Sequence, residues 1–331
     1  MTTNEFIGYK GSKIYHLYEW SLLLNNVHNH SIYYIKNDSG IFPLAHIKSL
    51  IFGNRLISLP FADYGGPLAD TSEGIDSLIA KAENIAKRLN VDFLEVRSPY
   101  EEYYSNFENY DFKRRDDYFT FILPLNGEIE SLWDLIGKKN RNMIRKATKN
   151  KIEIVEAKDK SDIFNFYEIY LKTMKRLGSP PQPLRFFETI WDLFYPNNLM
   201  LLFAMSHGIP IASSIYLLHG IVIHHSYNCS LDLPHGLGQN NLLQWHIIKW
   251  GNSKGFKYLD FGRTRANAGN ELFKNRWGGK LTTMPYFYKF YKKELKERQE
   301  VKYNKISYLW GKYMPELIAN NLGPMIIKQI G

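Results

Sequence analysis

The sequence of 331 residues contains a single cysteine, Cys229, and no long uninterrupted apolar run. One cysteine excludes an internal disulfide and any CxxC metal site. No apolar run reaches the ~18 residues that a membrane-spanning helix needs. The first residues, Met1 to Glu5, are not a basic segment followed by an apolar one, so we expect no secretory signal. The sequence therefore predicts a soluble, cytoplasmic protein.

The sequence also lacks the arrangements of residues that nucleophilic or metal catalysis requires. His224 and His225 are adjacent on a predicted strand, so we expect their side chains on opposite faces. Cys229 has no evident base partner, and the histidines lack a carboxylate cluster. The pattern predicts neither a nucleophilic triad nor a metal site, and we expect no resident cofactor.

Positive charge and aromatic residues are abundant. The formal net charge is +9 and the sequence pI is about 9.2, which favours anionic partners: a nucleic acid, a nucleotide-linked substrate or an acidic membrane surface. Hydrophobic residues make up 44% and aromatic residues 15% of the chain, enough for a sizeable core. The length suits one large domain or two of medium size.

One order of predicted elements occurs twice. In each copy a hairpin with a glycine turn is followed by a strand, a helix and a further strand that carries an acid. From hairpin glycine to strand acid, the first copy spans 55 residues, from Gly40 to Glu95. The second spans 52 residues, from Gly208 to Asp260. This matched order and spacing favours a duplicated α/β unit.

The predicted domain organisation follows from this repeat. We place the first domain at residues 1–150, the second at 151–300 and a helical tail at 301–331. In the tail, apolar residues alternate with basic and polar ones, and Pro315 and Pro324 divide it into short pieces. Two alternatives remain for the tail: it docks on the body of the protein, or it lies on a membrane surface.

The most basic stretch, residues 138–151, closes the first domain and holds seven Lys or Arg residues and no acid. The spacing predicts a helix with Arg141 and Arg145 on one face, together with Lys138 and Lys149. Two interpretations are open: a solvated helix face, or a contact for a phosphate backbone or a pyrophosphate. No aromatic residue interleaves with these cations, so the stretch itself gives no sign of base stacking.

The stretch 259–286 concentrates charge after a predicted strand. Asp260 lies at the strand end, Gly262 breaks the strand, and Gly269 gives the backbone freedom to turn. Four cations follow on this glycine-punctuated segment: Arg263, Arg265, Lys274 and Arg276. Such a group can hold a phosphate or an oxyanion. The alternative is a strand edge that carries solvated charges.

Short motifs occur in one order along the chain: ISLPF and YGGP at 57–67, KNRNMIRKA at 139–147, MKRLG at 174–178, FGR at 261–263, FK and WG at 273–278, WGKYMP at 310–315 and NLGP at 321–324. Their order resembles the Fem family of peptidoglycan-bridge aminoacyltransferases. Within it, the motifs are most similar to the FemAB-like branch found beside exosortase (PEP-CTERM) and exopolysaccharide systems. The resemblance covers nearly the whole chain. It implies an α/β fold of two tandem GNAT-like domains.

The resemblance also implies acyl transfer to an amine. In Fem enzymes, an amine of a lipid- or nucleotide-linked cell-wall peptide attacks the ester of an aminoacyl-tRNA. Lys274 matches the position where the family places a cation near the developing oxyanion. We expect Asp260 to orient the arginines or accept a proton, or else to be a structural partner of Arg263. The candidate substrate-binding residues are Arg263, Arg265, Arg276, Tyr227, Asn228, Tyr64, Arg141 and Arg145.

Two features depart from the Fem pattern. Fem enzymes that bind nucleotide-linked muropeptides place a lysine shortly after the N-terminal aromatic motif, whereas the first cation after Trp20 apart from histidine is Lys36. The sequence also lacks the pattern of the long coiled-coil hairpin that some Fem proteins carry for tRNA. Both departures leave the muropeptide and the tRNA open as substrates.

Three functions are compatible with these residues. The first is aminoacyl transfer from aminoacyl-tRNA to an anionic cell-wall or cell-surface precursor, with a possible peripheral membrane contact. The second is GNAT-type transfer from acyl-CoA, whose pyrophosphate would lie at the glycine turn 235–238 before a predicted helix. A glycine turn before a helix is common, however. The third is a non-catalytic protein of cell-envelope assembly, bound through the basic tail.

Overall fold

The computed structural model describes residues 11–49, 52–98, 100–233, 236–265, 271–292, 310 and 314–331. Within them the helices are α1 (Tyr18–His28), α2 (Ser72–Arg88), α3 (Tyr104–Asn109), α4 (Ile129–Leu135), α5 (Lys138–Lys149), α6 (Asp162–Leu177), α7 (Leu184–Phe194), α8 (Gln239–Ser253), α9 (Glu271–Asn275) and α10 (Glu316–Ile330). The strands are β1 (Ser31–Asn37), β2 (Gly40–Ser49), β3 (Gly53–Ile57), β4 (Leu68–Ala69), β5 (Phe93–Arg97), β6 (Lys113–Arg115), β7 (Tyr118–Pro124), β8 (Glu153–Glu156), β9 (Leu199–Ser206), β10 (Ile209–His219), β11 (Val222–Ser230), β12 (Tyr258–Asp260), β13 (Thr264–Arg265), β14 (Lys280–Thr283) and β15 (Tyr286–Phe290).

The chain divides into two compact units. The first contains the described residues up to Tyr118, with 283–292 and 321–331. The second contains residues 119–282 with the described residues from 310 to 320. The division therefore falls between Tyr118 and Phe119 and not at the predicted residue 150, and the basic helix α5 belongs to the second unit. The physical cause is strand pairing between distant parts of the chain.

The first unit is built on a sheet with the strand order β1-β2-β3-β5-β15-β6, and β4 pairs with β2. β1, β2 and β3 run antiparallel to one another in sequence, β3 and β5 are parallel, and β15 is antiparallel to β5. Thus β15, which comes after the whole second repeat, completes the sheet of the first.

The second unit repeats this arrangement in a sheet with the order β13-β7-β12-β11-β10-β9-β8, and β14 pairs with β7. β9, β10 and β11 are antiparallel in succession, β11 and β12 are parallel, and β7 is antiparallel to β12. Here β7, which precedes the repeat, takes the place that β15 has in the first sheet. The predicted tandem duplication of an α/β unit is confirmed.

A helix joins the two parallel strands in each unit, as parallel neighbours require a crossover connection. In the first unit α2 begins where the Thr71 side chain accepts a hydrogen bond from the Gly74 N–H at 3.0 Å. Its apolar residues Ile75, Leu78 and Ile79 are fully buried, at a spacing that forms one helix face. α8 makes the same connection in the second unit.

The loop after β12 is anchored in the core of the second unit. Leu259, Phe261 and Trp277 are each exposed by 1% or less and belong to one hydrophobic cluster. Fully burying a large apolar side chain contributes about 1.5–3 kcal/mol. Asp260, which lies between Leu259 and Phe261, is therefore held in a fixed position.

In the described residues 314–331 of the tail, one helix runs through Pro324, where the prolines predict a division into short pieces. Pro315 lies immediately before α10, and Pro324 lies inside it. Its last residues dock on the first unit: Arg55 donates to the Ile330 carbonyl at 2.9 Å, and His30 Nε2 bonds the Lys328 carbonyl at 2.9 Å. The two predicted alternatives for the tail were docking on the protein and lying on a membrane surface, and residues 328–331 dock on the protein.

Candidate active site

Asp260, at the end of β12, has a buried carboxylate with several partners. It is 2% exposed. Its Oδ1 accepts hydrogen bonds from Thr120 Oγ1 at 2.6 Å and from the Gly262 N–H at 2.9 Å. Its Oδ2 lies 3.4 Å from His224 Nδ1. A buried carboxylate requires such partners because desolvation of an unpaired charge is costly. Asp260 therefore fixes the course of the chain where β12 ends.

Lys274, on the short helix α9, reaches back to the same loop. Its Nζ donates to the Gly262 carbonyl at 2.8 Å and to the Arg263 carbonyl at 3.2 Å. Gly262 has a φ of +71°, a conformation that glycine adopts without a steric penalty. The amide of Gly262 thus bonds Asp260 while its carbonyl bonds Lys274. This single residue brings the two predicted catalytic groups together.

The parallel strands β11 and β12 are paired only as far as His224 and Asp260. Beyond this pair β12 ends, while β11 continues to Ser230. A register shift between Ile215 and Tyr216 of β10 leaves Ser226 as the extra residue of β11. In open α/β sheets, ligands bind in the crevice outside the carboxyl ends of the strands. The strand ends therefore form the candidate site.

Two polar atoms of β11 at this position have unfilled hydrogen-bonding capacity. His225 Nε2 and Ser226 Oγ are buried and have no hydrogen-bond partner among the residues the structure describes. Burial, reinforced by the charge of Lys274, lowers the pKa of His225 to about 3. His225 is consequently neutral at physiological pH. A ligand in the cleft would supply the hydrogen bonds that the protein leaves unmade.

The predicted cationic residues around Lys274 take different positions. Arg263 and Arg265 are exposed, and Arg276 is half-buried. The Arg276 carbonyl accepts a hydrogen bond from the Gly137 N–H at 2.8 Å. Because Gly137 immediately precedes α5, this bond joins the segment after α9 to the start of the basic helix.

The basic helix α5 lies beside an aromatic pair that its own sequence does not contain. The rings of Trp133 and Trp245 are 5.0 Å apart, and the Arg145 guanidinium lies 5.4 Å from the Trp133 ring centre. Arg141 bonds the Asp134 carboxylate at 3.2 Å. The two tryptophans line an open cleft of about 470 Å³. Sequence reasoning missed this pair because Trp245 is more than a hundred residues from Trp133.

The start of α8 is covered by α5. The Asn241 side-chain amide donates to Asn140 Oδ1 at 3.1 Å, and both residues are buried. Lys146 Nζ donates to the Gly236 carbonyl at 2.7 Å. A Cβ on Gly238 would lie 2.2 Å from the Met143 carbonyl oxygen. The described part of the predicted glycine turn is thus packed against α5; His235, like Gly269, lies outside the described residues.

Tyr227 and Asn228, the predicted acceptor-positioning residues, follow the bulge in β11. The Tyr227 ring packs against Phe187 at 5.1 Å and Tyr170 at 6.2 Å, within an aromatic cluster of α6 and α7. Asn228 is exposed, and its Oδ1 accepts a hydrogen bond from Ser214. The neighbouring Cys229 is buried, and burial raises the pKa of its thiol, which disfavours a reactive thiolate.

Tyr64 lies in the first unit, apart in sequence from the other site residues. Its ring is 5% exposed, contacts Tyr15 at 6.5 Å, and has Lys13 Nζ 5.5 Å from its centre. The two following amides, of Gly65 and Gly66, both donate to the Arg97 carbonyl at 3.1 Å. Tyr64 therefore belongs to the loop that borders β5.

In the first unit, the strand ends that correspond to the candidate site are occupied by other residues of the chain. Glu95 is the counterpart of Asp260 and is paired with Ile57 across the parallel strands. It forms a buried ion pair with Arg97 at 2.8 Å. A Cβ on Gly331 would lie 2.6 Å from Ile47 Cδ1, so the segment 329–331 packs at these strand ends. The candidate site is therefore the one in the second unit.

Two further properties concern the described residues as a whole. None of the described helices combines the length and the apolar character that crossing a membrane requires. Nor do the described residues bring three His, Cys, Asp or Glu side chains close enough together to hold a metal ion.

Comparison with known proteins relates part of the chain to a known family and the whole fold to solved structures. Residues 138–293 match the family described as the acetyltransferase (GNAT) domain, and a search of curated proteins gives no match. The chain is similar in structure to FemX, with 14% identity, a TM-score of 0.70, and coverage of 93% of this chain and 98% of that one.

Two other solved structures share the fold. One is the C-terminal domain of a putative lysylphosphatidylglycerol synthetase from Agrobacterium fabrum, with 8% identity, a TM-score of 0.59, and coverage of 88% of this chain and 91% of that one. The other is a conserved protein of unknown function from Bacteroides thetaiotaomicron, with 11% identity, a TM-score of 0.63, and coverage of 87% and 95%. Identities this low show the fold alone.

The fold and the matched domain agree with the resemblance found in the sequence motifs. The duplicated sheets confirm the tandem GNAT-like architecture, while assignment to the exosortase-associated branch stays a prediction. The chain therefore has a tandem GNAT-like fold that FemX shares, and its residues 138–293 match the acetyltransferase (GNAT) domain.

Proposed function

We propose that the protein transfers an aminoacyl group from an ester donor to the amine of an anionic cell-envelope precursor. The observation that carries the proposal is the position of Lys274, held by two carbonyl oxygens at the ends of the parallel strands. In the reaction, the amine nitrogen bonds to the acyl carbon, and the bond from that carbon to the ester oxygen breaks. The proton lost by the amine ends on the departing hydroxyl group.

Lys274 supplies positive charge where the acyl oxygen becomes an oxyanion. Donors fixed before the reaction stabilise such charge without reorganisation, and removing one costs about 10²–10³ in rate. Asp260 acts as a positioning residue, because its carboxylate accepts hydrogen bonds from Thr120 and the Gly262 amide. It thereby holds the loop whose carbonyl oxygens bind Lys274. His225, neutral and half-buried, offers a hydrogen-bonding nitrogen to the bound substrate.

An aminoacyl-tRNA is the donor that the surroundings favour. The cations of α5, including Arg141 and Arg145, suit a phosphate backbone. The half-buried Trp133 beside them adds the aromatic surface on which an unpaired base stacks, and the buried Trp245 packs against its ring. The packing of α5 over Gly238 occupies the glycine turn where a GNAT enzyme would hold the pyrophosphate of acyl-CoA.

The acceptor is an amine on an anionic cell-wall or cell-surface molecule. The exposed cations Arg263 and Arg265, with the half-buried Arg276, are the groups we assign to its phosphates. FemX and the C-terminal domain of a putative lysylphosphatidylglycerol synthetase share the fold. The product named in the second case is a phospholipid that carries an aminoacyl group. We place the protein in the cytoplasm, in peripheral contact with the membrane when the precursor is lipid-linked.

A second candidate is transfer from acyl-CoA, which the match to the GNAT acetyltransferase domain favours. In that reaction the leaving group is the CoA thiol, and the proton from the amine ends on sulfur. The two candidates share Lys274 and differ only in the donor. They are separated by testing the donors side by side.

The experiment uses the full chain with charged total tRNA in one reaction and acetyl-CoA in another, each with a lysine-bearing cell-wall precursor as amine acceptor. We expect acceptor-dependent loss of the aminoacyl ester, reduced about 10²–10³-fold in Lys274→Ala. Lys280→Ala is the matched control, because Lys280 is an exposed lysine on β14. Turnover of acetyl-CoA alone would replace the first candidate by the second. No turnover of either, with the fold intact, would favour the non-catalytic alternative.

A further inference from the structure

The first unit contains a cavity that the acyl-transfer proposal does not use. It has a volume of about 350 Å³ and lies where α1 ends, β1 begins and the segment 328–329 docks. Five groups that carry or can acquire positive charge line it: His28, His30, His46, Lys48 and Lys328. The other described lining residues are uncharged, so no carboxylate compensates these cations within the wall.

The electrostatic surroundings of the central histidine are positive. His30 is 6% exposed, and its pKa is lowered by burial and by the charges of Arg55 and Lys328. The ring of His28 stacks on that of His30 with the centres 5.3 Å apart. Arg55 is itself buried, and burial lowers its pKa to about 10. Positive groups concentrated in a partly buried space favour an anion as their partner.

Hydrogen bonds fix which ring nitrogens remain for a ligand. His30 Nε2 donates to the Lys328 carbonyl at 2.9 Å, because a carbonyl oxygen only accepts. His46 Nε2 likewise donates to Asn54 Oδ1 at 2.5 Å, and the Asn54 amide nitrogen is committed to the Leu89 carbonyl. In both rings Nδ1 is therefore the nitrogen that accepts a further proton. His30 Nδ1 is buried without a hydrogen-bond partner among the described residues.

We propose that this cavity binds a phosphate group, with Lys48 and Lys328 pairing with its oxygens and the three histidines donating hydrogen bonds once protonated. A phosphate offers several strong acceptor oxygens, which suits a wall with many donors better than a single carboxylate does. The volume lies within the range of small-ligand sites. A metal ion is disfavoured, because the lysines would repel it and the described residues contain no metal-binding group of three ligands.

The proposal implies tighter binding at lower pH. An anion stabilises the protonated form of an imidazole beside it, which opposes the lowering of the His30 pKa by burial. The charged groups facing His30 are His28 on α1, His46 and Lys48 on β2, Arg55 on β3 and Lys328 on α10. The change in affinity between pH 6 and 8 comes from the histidines, because the ordinary pKa values of lysine and arginine lie far above this range.

The test measures binding of inorganic phosphate to the full chain by calorimetry. Sulfate, whose charge is constant between pH 6 and 8, provides the pH series. We expect saturable binding of both anions at pH 6, weaker sulfate binding at pH 8, and an affinity about tenfold lower in Lys48→Ala/Lys328→Ala. Both lysines are exposed, so the variant should fold, as circular dichroism checks. The control is Lys87→Ala/Lys254→Ala, which removes the same charge from exposed positions outside the cavity.

Two further probes identify the source of the phosphate. Co-sedimentation with phosphatidylglycerol vesicles that depends on Lys48 and Lys328 supports a lipid headgroup, whereas binding of glycerol 3-phosphate without co-sedimentation supports a soluble phosphate ester. The proposal is overturned if neither anion saturates at pH 6, or if the control variant weakens binding as much as the cavity variant does. Because the readout is binding in the first unit, it is independent of the acyl-transfer reaction.

Discussion

Replacing Thr120 by valine tests how the candidate site is held. Thr120 is fully buried, and its Oγ1 donates to Asp260 Oδ1 at 2.6 Å. Valine keeps the branched shape and removes the hydroxyl, which also lies 3.1 Å from the Gly262 carbonyl, so the change removes the polar contacts of this one group. A hydrogen bond to a charged group contributes about 1.5–3 kcal/mol, and the short distance is typical of such a bond. We expect Thr120→Val to lower the free energy of unfolding of the second unit by about 2 kcal/mol.

Tryptophan fluorescence during urea unfolding measures this loss selectively. Of the seven tryptophans, Trp20 is in the first unit and the other six are in the second. Thr148→Val is the matched control, because Thr148 is exposed and its hydroxyl bonds the Ile144 carbonyl of its own helix. We expect the control to change stability by no more than about 0.5 kcal/mol. A shift in the midpoint without a change in the slope identifies a change in stability.

A double-mutant cycle with Asp260→Asn completes the test. Contacting residues show coupling energies of about 0.5–3 kcal/mol, and a value in this range for Thr120 and Asp260 would establish their direct interaction. If Thr120→Val is as mild as the control, or if the coupling is zero, Thr120 does not hold the carboxylate. That result would also refute the positioning role of Asp260 in the proposed reaction.

Three other perturbations follow from the same contacts. Gly238→Ala should destabilise the second unit by more than 2 kcal/mol (about the cost of overpacking), because φ is +81° and the new Cβ would lie 2.2 Å from the Met143 oxygen; unchanged urea stability would contradict the packing of α5 on this turn. Asn241→Leu should cost about 1–3 kcal/mol by leaving Asn140 Oδ1 without its donor, and Asn140→Leu/Asn241→Leu should recover part of that loss. The pKa of His225 is about 3 in the folded state, below its ordinary value of 6.5. Its contribution to the free energy of unfolding is therefore fully present above pH 6.5. That contribution is lost as the pH falls towards 3, by at most about 1.4 kcal/mol per pH unit. His225→Gln should remove this slope in acid titrations followed by fluorescence, and an identical profile in both proteins would refute the assignment.

Much of the fold could be predicted because its signals are local. The glycine turns at Gly40 and Gly208 and the acids Glu95 and Asp260 mark two copies of one order of elements, and the structure has that order in both sheets. The tail was less predictable. Pro324 is compatible with α10, although a proline removes one backbone donor and usually ends a helix.

The candidate site was predictable only in part. Asp260 and Lys274 were identified from one charged segment, and their roles stay predictions. Their connection through Gly262 depends on a backbone conformation that no spacing reveals. Trp133 and Trp245 were missed for a different reason: a stretch without interleaved aromatics still acquires an aromatic neighbour when another helix packs beside it.

By itself, the sequence determined the repeated α/β units, the basic helix and the charged segment after β12. These features depend on periodicity, turn residues and charge within a few tens of residues. Only the tertiary structure decided that β15, which follows the second repeat, completes the first sheet, and that β7, which precedes the second repeat, completes the second sheet. The same holds for the hydrogen bond between Thr120 and Asp260, which are 140 residues apart. The physical reason is that strand partners and buried hydrogen-bond partners are selected by packing and desolvation of the whole unit, which a local pattern does not encode.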